Sequence, residues 1–206
     1  MYVKDIVRLD KRKAKVICDE TTFPLYISEI KRLGLHNEMT ISDDLYLDIF
    51  DDILYKRAKE RSLHLIEKMD RTEYQIRTKL KDGYYPEEII ERVIAFLNKY
   101  NFINDEDYAK RYIECSKKTK SCILILLELA KKGISKDILS NIKLCLSNDD
   151  EEIMQIVKLL NKKKYKEVCA DIKEKSKIIN YLLRKGYDFE NINTAIRKYE
   201  EEPTNF

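Results

Sequence analysis

Tryptophan is absent, and glycine and proline are scarce, four and three in 206 residues. Tight turns draw on glycine and proline, so an all-β sandwich or barrel would lack turn residues. Histidine occurs twice, at His36 and His64, and the five cysteines, at 18, 115, 122, 145 and 169, form no C-x-x-C pair. That spacing excludes a zinc-ribbon pattern and argues against a disulfide framework. The cysteines read instead as small buried apolar side chains. No apolar run approaches the ~18–20 residues that span a bilayer. The opening MYVKDIVRLDKRK lacks the apolar core of a signal peptide. A cytoplasmic chain with no membrane contact is therefore expected. There is no G-x-x-x-x-G-K-[ST] loop and no G-x-G-x-x-G turn. The carboxylates fall in helix caps and on charged faces, so no catalytic residue, cofactor or metal is read, and the chain is expected not to be an enzyme.

Charge is abundant, at 37% of residues, but nearly balanced, 40 Lys+Arg against 37 Asp+Glu. With 44% hydrophobic residues, this is the composition of amphipathic helices with salt-bridged outer faces, not of a disordered chain. The balance is not local. Residues 1–54 hold 8 basic and 11 acidic residues, 55–147 hold 20 and 14, and 148–206 hold 12 of each. The stretch Tyr108–Lys136 alone has eight basic residues against Glu114 and Glu128. A local cationic surface attracts polyanions even when net charge is small.

The first 50 residues differ from the rest. Tyr2–Leu9, Ala14–Cys18 and Phe23–Leu25 mix β-branched and aromatic residues around the polar interruption Asp10–Lys13, predicting a small β-hairpin or meander. A short helix over about 27–33 should end at Gly34, and Ser42-Asp43-Asp44 should cap the next one. From Leu45 the apolar spacing is helical almost throughout. Thr72-Glu73-Tyr74-Gln75 predicts a capping box.

One unit appears three times. Leu80-Lys81-Asp82-Gly83-Tyr84 recurs as Ala130-Lys131-Lys132-Gly133-Ile134 and as Leu183-Arg184-Lys185-Gly186-Tyr187. Each glycine follows an apolar stripe, and each is expected in the left-handed conformation that ends a helix. At Gly83 a β-branched substitution should therefore be destabilising. The resulting fold class is mainly α. Three tandem three-helix repeats span 55–100, 105–146 and 150–199, preceded by a β-rich extension over 1–50. Contacts between neighbouring repeats should make an elongated, curved array.

These segments resemble the RecX family, bacterial regulators of the RecA recombinase. The likeness rests on Thr72–Tyr84, Glu88–Leu97, Asn101–Tyr112 (NFINDEDYAKRY), Glu128–Ile134 and Ile178–Tyr187. The family's basic, Gly/Pro-containing segment before the second helix of the middle repeat stands here as Lys117-Lys118-Thr119-Lys120-Ser121-Cys122, without the glycine. The resemblance implies a monomer that binds the RecA–DNA filament and restrains strand exchange, ATP hydrolysis and coprotease activity in DNA repair and the SOS response. It implies single-stranded DNA as a further partner, with double-stranded DNA as a second candidate. A helix-turn-helix transcription regulator is the competing reading, since short links join the helices; one recognition helix, however, needs no threefold repeat.

The candidate contacts to RecA or DNA are Lys110, Arg111, Lys117, Lys118 and Lys120, which crowd one helix end and the next helix start, followed by Lys131 and Lys132. Solvation and compensation of the helix dipole account for the same residues without a partner. Tyr84, Tyr85, Tyr108 and Tyr112 are candidates for base stacking, although their helical spacing fits a core equally well.

Overall fold

The computed structural model of the protein describes residues 1–146, 149–168 and 170–201. It is mainly helical with one small antiparallel sheet, as expected, and forms two compact units, Met1–Asp105 and Glu106–Phe206.

The first unit opens with β1 (Val3–Arg8), β2 (Lys13–Cys18) and β3 (Thr22–Tyr26), paired in sequence order. Ile6 pairs with Val16, and Val16 with Phe23. Because side chains alternate along a strand, this register puts Ala14, Val16, Cys18, Phe23 and Leu25 on the buried side. α1 (Ile27–Arg32) ends at Leu33. The Ser42 hydroxyl then accepts a bond from the Leu45 amide and starts α2 (Asp43–Leu47). α2 passes without interruption through a π-helical stretch, Asp48–Tyr55, into α3 (Lys56–Lys68). The π stretch buries Ile49, Phe50 and Leu54, and Phe50 stacks on Tyr46 at 4.1 Å and meets Phe23 edge-on at 5.5 Å.

α4 (Glu73–Lys81) begins at the expected capping box: the Gln75 amide donates to Thr72 Oγ1, and the Thr72 amide donates to Gln75 Oε1. α5 (Glu87–Lys99) supplies Ile89, Ile90, Val93, Ile94 and Leu97. These join Ile76, Leu80 and the strand residues in one core. The N-terminal strands are thus packed into the first helices rather than appended to them.

The second unit contains α6 (Asp105–Ser116), whose first residue lies at the boundary, α7 (Cys122–Lys131), α8 (Lys136–Leu146), α9 (Asp149–Lys162), α11 (Ile172–Arg184) and α12 (Phe189–Glu201). The short α10 (Tyr165–Val168) was not anticipated; it places Tyr165 fully inside, edge-on to Tyr199. Ala109, Ile125, Leu129 and Ile134 form one core, and Ile156, Leu160, Leu182, Ile192 and Ala195 are central to another.

The three links do not align on their glycines. Tyr85, Ile134 and Tyr187 each donate an amide bond back to Leu80, Leu129 and Leu182 respectively. The residue before each donor takes positive φ: Tyr84 at 62°, Gly133 at 85° and Gly186 at 84°. Gly83 is not left-handed; Tyr84 is, and Gly83 occupies the place of Lys132 and Lys185. The glycine there answers to crowding, because a methyl group would lie 3.1 Å from both Arg61 Nη1 and Tyr85 Cε2. Cysteine burial also needs correction. Cys18 is buried and Cys122 half-buried, but Cys115 is exposed. Ala109 and Ser116, seven residues apart, hold the buried face of α6, and Cys115 falls off it. Cys169 and the side chain of Cys145 lie outside the described residues.

Candidate functional site

The basic residues nominated by the sequence all lie in the second unit, on α6, α7, the turn between them and, for Lys132, the cap that ends α7. Lys110 and Arg111 lie on α6, and Lys117 and Lys118 in the turn that follows it. All four are exposed. Lys110 lies 3.8 Å from Asp107 and borders a cleft of ≈ 320 Å³ lined by Ile113, Ile138 and Ile142. Among the described residues, Lys117 and Lys118 have no carboxylate within ion-pairing distance.

The backbone beneath these lysines is held from below. Gln155 on α9 donates its amide nitrogen to the Lys117 carbonyl at 2.7 Å. The Ser121 hydroxyl donates to the Lys185 carbonyl at 2.8 Å and accepts from the Leu124 amide, capping α7. The Cys122 amide donates to Glu152 on α9. Gly186 completes the contact: a methyl group there would stand 2.6 Å from Ser121 Oγ. Two exposed cationic side chains thus project from a tethered turn. The sequence carried one signal for this arrangement, a serine directly before the apolar run Cys122–Leu127. Gln155 and Glu152 carried none.

Lys120 and Lys132 are placed differently from Lys117 and Lys118. Lys120 donates to Glu128 Oε2 at 2.6 Å and to the Tyr112 hydroxyl at 3.1 Å, and Tyr112 donates to the same carboxylate. The Tyr112 ring lies under both ammonium groups, 5.3 Å from each. Tyr108 stacks nearly parallel to Tyr112 at 6.3 Å and also lies under Lys132. The bond from Lys120, then the one from Tyr112, holds the Glu128 carboxyl below its usual range. Glu128 in turn raises the Lys120 ammonium above its own. This half-buried cluster ties α6 to α7. Substituting Lys120 with an acid would set two carboxylates against each other and disturb the fold along with any contact. Lys131 is exposed at the end of α7.

Of the tyrosines, Tyr85 is buried and Tyr84 exposed. Asp105, the first residue of α6, accepts a bond from the Glu73 amide at 3.0 Å, and burial raises its carboxyl. Among the described residues, no three His, Cys, Asp or Glu side chains are placed to hold a metal ion, and no helix is long and apolar enough to cross a membrane.

Comparison with known proteins places this chain beside regulators. A family model described as the first three-helix domain of RecX matches residues 58–97, and one described as its third three-helix domain matches 149–196. The chain is 32% identical over 199 residues to the "Regulatory protein RecX" of Clostridium acetobutylicum, covering 93% of each. It is 31% identical to that of Clostridium perfringens strain 13, covering 94% of this chain and 93% of the relative. The crystal structure of RecX from Lactobacillus salivarius has a TM-score of 0.63 at 27% identity, covering 71% of this chain and 96% of that one. A further crystal structure of a regulatory protein RecX covers 98% of this chain at the same TM-score and 21% identity, a likeness of fold.

Proposed function

Because this chain belongs to the RecX family, we propose that it binds the RecA–DNA nucleoprotein filament and inhibits RecA, without catalytic chemistry of its own. The observation that carries the reading to a surface is the tethered turn after α6. Lys117 and Lys118 are exposed and without ion-pair partners among the described residues, while Gln155 on α9 holds the Lys117 carbonyl and the Ser121 hydroxyl, further along the turn, donates to the Lys185 carbonyl. A fixed backbone with free ammonium groups suits phosphate or carboxylate contact without refolding. Lys110 and Arg111 extend that surface along α6, and Lys131 is a candidate at its edge. Lys120 and Lys132 serve it by holding α6 and α7 together.

The test is RecA ATP hydrolysis on single-stranded DNA, titrated with the protein. Lys117→Glu/Lys118→Glu should keep the helical circular dichroism and need at least tenfold more protein for the same inhibition. Full inhibition by the double variant would remove this turn from the interface. Tight sequence-specific binding to duplex DNA without RecA would instead favour a transcription regulator.

A further inference from the structure

A second basic surface lies in the first unit, around Tyr84, which the sequence offers for base stacking without any of the cations that surround it. The link between α4 and α5 packs against the sheet, and between them is a cleft of ≈ 220 Å³ lined by Lys13, Arg57, Arg61, Asp82 and Tyr84. Lys15, two residues along β2 from Lys13, holds its ammonium 5.3 Å from the centre of the Tyr84 ring. Four cations therefore meet two carboxylates here, Asp82 and Glu29. Glu29 is engaged by Arg57 in an ion pair, and Asp82 has Lys79 at 3.9 Å. Among the described residues, Lys13, Lys15 and Arg61 have no ion-pair partner.

Two further observations concern shape. Tyr84 has φ of +62°, a conformation that is uncommon for a bulky residue and that costs energy. The consequence is an aromatic ring 42% exposed at the rim of the cleft when Tyr85, its neighbour, is buried. Gly83 lets Arg61 approach the link, since a methyl group would stand 3.1 Å from its guanidinium. Unpaired cations around a concave floor with one exposed ring beside them make the combination that grips a nucleic-acid strand: charge for the phosphate, a flat face for the base.

We propose that this cleft is a binding site for single-stranded DNA, in which Lys13, Lys15 and Arg61 hold a backbone phosphate and Tyr84 stacks on a neighbouring base. The site needs no RecA and is distinct from the turn after α6, so it goes beyond the reading above and stands or falls separately.

The experiment measures binding of a fluorescein-labelled oligothymidylate to the full chain by anisotropy, across a series of KCl concentrations and without RecA. Each phosphate contact on a single strand contributes about −0.7 to the slope of log K against log salt. Lys13→Gln/Arg61→Gln should make the slope shallower by about 1.4 on that basis. Lys15→Gln, at a half-buried site on the open face of β2, should make it shallower by about 0.7. Tyr84→Asn tolerates positive φ but removes the ring. It should weaken binding roughly tenfold and leave the slope unchanged, because stacking carries no counterion release. Slopes equal to wild type in both charge variants would overturn the proposal, as would undetectable binding by the wild-type chain. Displacement of the oligonucleotide by polyglutamate, but not by unlabelled oligothymidylate at equal charge concentration, would assign the cleft to an acidic peptide instead. Each of these results leaves the RecA ATPase assay on Lys117 and Lys118 unaffected.

Discussion

Gly186 offers the sharpest test of how the cationic turn is held. In Gly186→Ala, alanine must adopt φ of +84°, which costs about 1 kcal/mol relative to glycine. Its methyl group would lie 2.6 Å from Ser121 Oγ and 3.4 Å from Leu124 Cβ. Overpacking of that kind costs about 1–3 kcal/mol. If Ser121 rotates away, its bond to the Lys185 carbonyl and its cap on Leu124 go with it, about 1 kcal/mol each. The expected loss is about 3 kcal/mol, or a fall in Tm of roughly 6–12 °C for a chain of this size. Ser121→Ala alone should cost about 2 kcal/mol through the lost cap and the stranded carbonyl. The double variant should cost about 1–2 kcal/mol less than the sum, because removing the hydroxyl removes the clash. Urea unfolding followed by circular dichroism gives all three values, and amide exchange at Lys117–Lys120 should quicken in Gly186→Ala. Strict additivity, or a loss below about 1 kcal/mol, would refute the contact as described.

Three further outcomes follow from the same geometry. Glu128→Gln should destabilise the protein by about 1 kcal/mol at pH 7. The native carboxyl is held below its ordinary value of 4.5, so the stability from its charge is complete above that pH and disappears as pH falls through the lowered value. The difference between wild type and variant should therefore shrink as pH falls below about 4.5, and a difference that stays constant from pH 7 down through the acid limb of parallel urea titrations would contradict the assignment. Thr72→Ala removes the hydroxyl of the capping box and should cost about 1 kcal/mol, read from the unfolding midpoint. Cys115 is the exposed cysteine among those described, so it should react with a thiol reagent such as DTNB in the native state, well before Cys18, whose thiol burial keeps protonated.

Local signals were legible wherever a single residue type answers a single need. Ser42, the Thr72–Gln75 pair and the apolar stripe of α5 were all found, because caps and helical spacing are properties of a few adjacent residues. The failures came where two segments meet. Nothing in Asp48–Tyr55 announces a π-helical turn; its extra residue is tolerated because Phe50 finds Tyr46 and Phe23. The feature the three links share is not the place of the glycine but the amide bond back to Leu80, Leu129 and Leu182. At Gly83 the backbone is not left-handed, and a side chain there would crowd Arg61, Tyr85 and the Leu80 carbonyl. The cleft beside Tyr84 is hidden in the sequence for the same reason, because Arg61 lies 48 residues from Lys13 and 46 from Lys15.

Eight basic residues within Tyr108–Lys136 looked like one cationic patch, but their chemistry divides them. Lys120 is fixed by Glu128 and Tyr112 and brings little net charge to a ligand. Lys117 and Lys118 keep their rotamer freedom, and immobilising a lysine side chain costs up to about 2 kcal/mol. Contacts made through them should therefore be individually weak, easily exchanged and sensitive to salt. That property suits a regulator acting on a polymer whose sites are many and identical, because such a ligand can release one site and engage the next while its backbone stays in place. Arg61, half-buried beside Gly83, loses less freedom on contact and should hold longer. Replacing Lys117 and Lys118 by arginine, whose planar fork binds phosphate in two places, should then slow dissociation from the RecA–DNA filament more than it speeds association. Surface-coupled kinetics on preassembled filaments would show this as a lower off-rate. An off-rate identical to wild type would mean that neither side chain touches an anion there.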